Sequence, residues 1–319
     1  LIKLRTERNR PKLIGRKIHP APYTMTAMKS TGVENPDIRI NPQGFRSAID
    51  LDQPKTKPRC FILGGSFAFG AGASGAHTYY AAVLTNRFRN IHFINAAGSS
   101  FTANQQFIQL ALNVMPYEPD YVIVIDGFND MALPMVFGQP AGAPWRWTEY
   151  KDFLSGSFWR MAAAYIRVHS QFYRVGSRLR LSRRAEADTF GQSTLQRVIE
   201  EYLHATEMTY TLCRARGIKV YHVFQPQLAI DKPVSEAEQG LSLPSFNKAM
   251  QKNYPVLEQE AEALALTNNV PFLSLLPVFK NNTNTLYVDY CHVNDVGQEI
   301  VGTRIVDFLK ANGFPGEEQ

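Results

Sequence analysis

Cysteine is scarce. Cys60, Cys213 and Cys291 are the only three in 319 residues, too few and too far apart for a disulfide framework or a Cys-x-x-Cys metal site. Long apolar runs are missing too: no uninterrupted stretch reaches the roughly 18 residues of a membrane-spanning helix. No Gly-x-x-x-x-Gly-Lys-Ser/Thr loop occurs, which removes the P-loop nucleotide-binding class. Glycine and proline, at 21 and 19 residues, stand near average usage and exclude collagen-like or low-complexity chains. Charged residues make up only 19% against 45% apolar, so the chain can bury a large core and is not a disordered polyelectrolyte. An initiator Met and an apolar leader are also lacking at Leu1, and the chain is expected to be a mature form or a piece of a longer protein.

What is present is an alternation of short apolar runs and helical patterns. Cys60–Leu63, Ile91–Asn95, Tyr121–Ile125, Lys219–Phe224 and Pro271–Ser274 are continuous and rich in β-branched or aromatic residues, as strands buried on both faces are. Helical patterns lie between them over His77–Arg89, Thr102–Val114, Ser193–Arg216 and Phe246–Thr267, and Asn294 is placed to cap a last helix ending near Asn312. The expectation is an α/β fold: a doubly wound, mainly parallel five-stranded sheet over residues 59–319, preceded by an arm over 1–58. In such sheets a site forms at the carboxyl ends of the strands. A long insertion, about residues 131–190, interrupts the alternation, and a second interruption follows Phe224. Within the first, residues 158–181 read as an amphipathic helix. At about 100° per residue, Arg160, Arg167, Arg174 and Arg178 share an arc of roughly 40°. Met161, Tyr165, Val168, Phe172, Val175 and Leu179 form a stripe a third of a turn away, which the usual rule for surface helices turns toward the core.

Four segments fall where strands end. Gly64-Gly65-Ser66 follows the first strand, in a turn that suits an exposed nucleophile whose own amide also faces the reacting carbonyl. Asn95-Ala96-Ala97-Gly98-Ser99-Ser100 follows the second and Gly127-Phe128-Asn129-Asp130 the third, offering a close-approaching amide at Gly98 and a non-titrating donor at Asn129. Asp289-Tyr290-Cys291-His292 precedes the last helix. A carboxylate three residues before a histidine in a short loop can fold back onto one ring nitrogen and fix the tautomer, leaving the other to take a serine proton. His19, His77, His92, His169, His204 and His222 lack such a neighbour and read as isolated. Asp126 and Asp130 flank Asn129, but no His or Cys cluster accompanies them to make a metal site. Gly70-Ala71-Gly72-Ala73-Ser74-Gly75 fits a dinucleotide fingerprint by spacing, yet begins six residues past the strand end, and the second strand closes on Asn95 instead of an acid. Cys60 and Cys213 read as core thiols; Cys291 is expected to be partly exposed.

These four blocks, in this order at successive strand ends, resemble the SGNH (GDSL-type) hydrolase family, with Ser66, Gly98, Asn129 and His292 at its four signature positions. Asn41-Pro42-Gln43-Gly44-Phe45-Arg46 resembles the segment before the serine in many bacterial members, where a membrane anchor often lies further upstream. The resemblance implies a flavodoxin-like fold and an extracytoplasmic serine esterase with no cofactor. Ser66 would be the nucleophile, His292 the base and Asp289 its orienting acid; the Ser66 and Gly98 amides and the Asn129 side chain would form the oxyanion hole. Gly65 departs from the Asp of the GDS form, which is not the triad acid. The substrate expected is a small-acyl ester, acetyl-like and borne by a carbohydrate, with Tyr, Trp and Arg residues near 145–178 stacking on the sugar. Other readings of the same residues are an O-acyltransferase of a cell-surface glycan, a lipid esterase, and a non-enzymatic module docking on a membrane or acidic polymer through the basic arm and helix 158–181. No nucleic-acid reading motif is present. The net charge of +6 is uneven: residues 1–19 carry +6 and residues 153–185 hold seven arginines and no acid, so the rest of the chain carries −7.

Overall fold

The computed structural model describes residues 18–21, 24–28, 38–169 and 192–316. Strands β1 (Ile18–Ala21) and β2 (Met25–Met28) pair as an antiparallel hairpin. The remaining strands, β3 (Arg59–Gly64), β4 (His92–Asn95), β5 (Tyr121–Asp126), β6 (Lys219–Phe224) and β7 (Phe272–Ser274), form one sheet in the order β4-β3-β5-β6-β7, with every neighbouring pair parallel. The chain steps from β3 outward to β4, then crosses to the other side of β3 to begin β5. That reversal opens a crevice at the carboxyl ends of β3 and β5, where ligands bind in open α/β sheets.

All six residues of β3 are buried, because the sheet is covered on both faces. Alternate side chains enter different cores. Ile62, Ile123, Tyr221 and Val223 pack with Tyr80, Leu84, Val301 and Ile305 from the helices Tyr80–Arg87 and Asp295–Ala311. Phe61, Leu63, Val122 and Val124 pack on the opposite face with Leu110, Val114, Cys213 and Ala265, from the helical stretch Ala103–Val114 and the helices Gln192–Ala215 and Pro244–Thr267. The expected doubly wound α/β sheet of five strands is therefore the observed one.

Several boundaries differ from expectation for local reasons. The helix foreseen from His77 starts at Tyr80, because Thr78 Oγ1 accepts the Gly75 amide and holds the preceding turn. The stretch after Thr102 is α-helical only to Ile108, then widens to a π-helix over Gln109–Val114 and ends in a 3-10 turn at Met115–Tyr117 that includes Pro116. Phe128–Phe137 is helical though its nearly uniform apolar character shows no helical period.

The insertion contains a helical hairpin, Trp147–Leu154 and Phe158–His169, whose two helices pack on each other. The helix foreseen over 158–181 is described only to His169; residues 170–181, with Arg174, Arg178, Phe172, Val175 and Leu179, lie outside the described residues. Within the described part the core-facing expectation fails: Met161 and Tyr165 are exposed, and the buried contact of this helix falls on Ala164. A small side chain lets two helices approach closely, and the larger apolar groups are left on the outside.

Residues 38–58 do not hang free. Ile38 and Ile40 join the core on one face of the sheet, and Phe45 and Leu51 join that on the other. Asn41 Oδ1 accepts the Phe45 amide at 2.8 Å, closing a turn that delivers Arg46 to the edge strand, where its amide donates to Asn95 O at 2.9 Å.

Candidate active site

Ser66 is the first residue of a one-turn helix, Ser66–Phe69, directly after β3, and is half-buried. The first amides of a helix have no intrahelical acceptor, so the Ser66 N–H points outward beside its own hydroxyl. Gly65 permits this turn: a Cβ there would lie 2.2 Å from Asn129 Nδ2, so the Asn129 amide is packed directly against the glycine backbone. From the other side of the crevice, His292 Nε2 lies 2.7 Å from Ser66 Oγ, across 226 residues of sequence. His292 Nδ1 donates to Asp289 Oδ2 at 2.8 Å. Ser66, His292 and Asp289 thus form a continuous hydrogen-bonded relay, as the three-residue spacing requires.

The loop that carries the relay is a folded unit. Asp289 Oδ1 accepts the amides of Cys291 and His292, both at 2.9 Å, so this carboxylate orients the ring with one oxygen and closes its own turn with the other. Burial opposes its ionisation, but the His292 charge and hydrogen bond, together with those two amides, hold its pKa down at about 2. Gly72, from the glycine-rich stretch, packs under the next residue: a Cβ there would meet Val293 O at 2.3 Å, and φ is +101°. That glycine seats the histidine loop rather than a phosphate.

Cys291 is buried, contrary to the expectation of partial exposure, and burial pushes its thiol pKa well up. Its Sγ is 3.6 Å from His292 Nδ1. Asp289, Cys291 and His292 bring three potential ligand atoms within 4.8 Å of one another. The set suits a hydrogen-bonded pair better than a cation, since Asp289 Oδ2 and His292 Nδ1 bond each other and the thiol is held protonated.

The oxyanion donors come out differently from the sequence expectation. Asn129, in the first turn of the helix Phe128–Phe137, donates one Nδ2 hydrogen to Phe101 O at 2.9 Å and keeps its second. Gly98 does not present its amide: that N–H donates to Gly64 O at 3.0 Å, extending the β3–β4 pairing. Its lack of a side chain is needed for another reason, since a Cβ would lie 2.4 Å from the Phe101 ring. In the turn that follows, neither the Ser99 nor the Ser100 amide has a hydrogen-bond partner among the described residues, both are half-exposed, and Ser100 adopts φ +59°. A non-glycine residue in the left-handed region is uncommon and fits a turn that aims its backbone inward. This turn, not Gly98 itself, supplies the free amides of the second block.

Three supporting groups escaped the sequence reading. Glu238 is buried, pairs with Lys232 Nζ at 2.6 Å, and accepts the Ser235, Leu286 and Tyr287 amides at 2.8–2.9 Å. Leu286 and Tyr287 open the His292 loop, and Tyr287 bridges to Val293 across it. Burial works against the Glu238 charge, while Lys232 and the amides of Tyr287, Ser235 and Leu286 lower its pKa to about 2. The Ser235-x-x-Glu238 capping pattern was the available signal. Arg46 is the second group: its guanidinium donates to Phe69 O at 2.6 Å and Gly75 O at 3.2 Å and lies 3.8 Å from the Tyr79 ring centroid, holding the loop that leaves the Ser66 helix.

The third is His222, which is not isolated as expected. It is fully buried at 3.0 Å from Asp126 Oδ1 and is also bonded to Tyr210 Oη, and Tyr202 Oη donates to the same Asp126 oxygen at 2.8 Å. Asp130 Oδ1 accepts the Ala103 amide at 2.9 Å; burial first, and then the Asp126 charge, raises its pKa well above the carboxylate range. Asp126 and Asp130 are thus hydrogen-bonded braces on either side of Asn129. A cavity of about 470 Å³ lies at the opposite end of the sheet, lined by Lys219, Val220 and Pro271 among others, away from Ser66.

No family model and no curated protein matches the chain. Among solved structures it is similar to an acetyl xylan esterase (12% identity, 78% of this chain and 98% of that one, TM-score 0.48). It is similar also to a catalytic mutant of an acetylxylan esterase from Geobacillus stearothermophilus (13%, 83% and 100%, TM-score 0.46). A third is a lipase/acylhydrolase from Enterococcus faecalis (12%, 82% and 100%, TM-score 0.48).

Proposed function

We propose that the chain is a serine ester hydrolase of the SGNH type. The observation that carries this reading is the relay Asp289–His292–Ser66, with links of 2.8 and 2.7 Å, opening on the crevice between β3 and β5. Ser66 Oγ attacks the ester carbonyl carbon while its proton passes to His292 Nε2, and Asp289 stabilises the imidazolium. The carbonyl oxygen becomes an oxyanion held by the Ser66 N–H, the free Nδ2 hydrogen of Asn129 and an amide of the Ser99–Ser100 turn. Collapse breaks the bond to the alkoxy oxygen, which takes the proton from His292 and leaves as alcohol. Water, deprotonated by His292, then attacks the acyl-serine carbon, and the acid departs with Ser66 regenerated.

The substrate class we assign is a small-acyl ester, acetyl-like and carried by a carbohydrate. It is supported by the Trp145–Arg146 pair beyond the insertion root, the guanidinium 4.4 Å over the indole ring, a surface suited to stacking on and hydrogen-bonding a sugar. Turnover of acetyl, butyryl and octanoyl p-nitrophenyl esters tests both layers. Ser66→Ala is expected to abolish all three, and unchanged turnover in the pure variant would sink the serine mechanism. A clear octanoyl preference would replace the carbohydrate reading with a lipid ester, which the exposed apolar hairpin of the insertion favours.

A further inference from the structure

The hairpin Trp147–Leu154/Phe158–His169 carries large apolar groups on its outside: Leu154 is 81% exposed, Phe158 71%, Trp159 79% and Ile166 56%. Single exposed apolar residues need no explanation, but several on one short element mark a surface that meets something. At about 100° per residue, Phe158, Trp159 and Ile166 fall within roughly a third of a turn on their helix. Exposed Arg160 sits beside this arc, roughly 100° beyond Trp159. The sequence from 153 to 185 adds six more arginines and no acid, while the rest of the chain outside it and residues 1–19 is net negative. Two of the three tryptophans of the protein, Trp147 and Trp159, belong to this element, and Trp145 stands two residues before it.

We propose that this hairpin is an interfacial membrane anchor that lies in the headgroup region of an anionic bilayer, with Leu154, Phe158, Trp159 and Ile166 entering the acyl boundary and Arg160 meeting lipid phosphate. The charge selects the occupant. A second copy of the chain would bring two segments of like charge together, seven arginines and no acid over residues 153–185 in each, whereas an anionic lipid surface neutralises them. Trp and Arg flanking an apolar face is the composition of helices that lie in a membrane interface. The helix Phe158–His169 has 12 residues, and no helix among the described residues is long and apolar enough to cross a membrane, so the element lies on the bilayer. Its root is fixed beside the crevice: Gly142 O accepts from Thr102 Oγ1 at 3.2 Å and Asn104 Nδ2 at 3.3 Å, next to the Phe101 carbonyl that Asn129 holds. Docking through the hairpin therefore sets the Ser66 crevice close to the membrane surface. The proposal goes beyond the ester-hydrolase reading and stands without it.

The full chain carrying Ser66→Ala, which leaves the surface unchanged, is mixed with vesicles of 3:1 phosphatidylcholine:phosphatidylglycerol and with vesicles of phosphatidylcholine alone. Flotation and intrinsic tryptophan emission are read together, with size by sedimentation. Expected are flotation with the anionic vesicles, a blue-shifted emission quenched by brominated lipid, and partitioning at least ten-fold weaker on the zwitterionic vesicles or in 0.5 M salt. Leu154→Asp/Phe158→Asp, both exposed and away from the core, is expected to keep the melting temperature and lose at least ten-fold in partitioning. No flotation with either vesicle, equal binding to both, or undiminished binding by the double variant overturns the proposal. So does a dimer that the double variant dissociates while vesicles bind neither form.

Discussion

Asp289 shows how much one side chain does here. One oxygen closes the turn that holds His292 and the other fixes its tautomer. Because its pKa is depressed from 3.8 to about 2, its contribution to stability is complete above about pH 4 and is lost as pH falls through about 2. It stays ionised over the working range, so an acid limb in the pH profile belongs to another group. Asp289→Asn should leave KM near its starting value and lower kcat by about 10³–10⁴-fold, measured by steady-state kinetics on an acetyl ester. Asn129→Ala should lower kcat by about 100- to 1,000-fold, the usual loss for one oxyanion donor. Because Asn129 Nδ2 also ties Phe101 O, a fall in melting temperature alongside the kinetic loss would show that the side chain holds the turn as well as the oxyanion. Ser66, Asn129, His292 and Asp289 were all legible, since each sits at a strand end or in a short loop with a suitable neighbour. Gly98 was not: which amide of a turn faces inward depends on a bond to Gly64 O on another strand, and no local pattern records it.

The element that presents His292 is the loop Leu286–Asn294, pinned at its start by the buried Glu238 and at its end by Asn294, whose Oδ1 caps the last helix through the Gly297 amide. Removing one partner of a buried ion pair leaves the other charge uncompensated, so Glu238→Gln should destabilise the protein by about 3–5 kcal/mol. The pH dependence gives a second check. Glu238 has its pKa lowered from 4.5 to about 2, so its stabilisation is fully present above about pH 4.5 and lost as pH falls through about 2. Urea unfolding of the native protein and the Gln variant should therefore differ most at neutral pH and converge in acid; a constant gap would refute the linkage. Turnover should fall with the same substitution, because the loop loses its seat. The capping pattern at Ser235 was visible in sequence, but the reach of its Glu238 to Leu286, 48 residues on, belongs to the fold.

At the scale of the whole molecule, the charge of +6 is a difference between two basic attachments and an acidic α/β body. The segment that follows the first attachment, residues 38–58, is packed into the domain. Phe45 is buried edge-on against Phe61 and Tyr117, at centroid distances of 5.8 and 6.0 Å, so Phe45→Ala should cost about 3–5 kcal/mol, measured by denaturant unfolding. A surface-like loss below 1 kcal/mol would mean the segment only rests on the domain. By itself the sequence determined the parallel sheet, because strands buried on both faces must be continuously apolar, and it determined the order of the chemical blocks at the strand ends. Only the tertiary structure decided which groups meet. Ser66 reaches His292 across 226 residues, Glu238 holds the loop that carries both Asp289 and His292, and Met161 and Tyr165 of the insertion face outward while Ala164 is the buried position of their helix. A side chain's periodicity fixes the face it occupies, while the partner that face meets is set by elements distant in the chain.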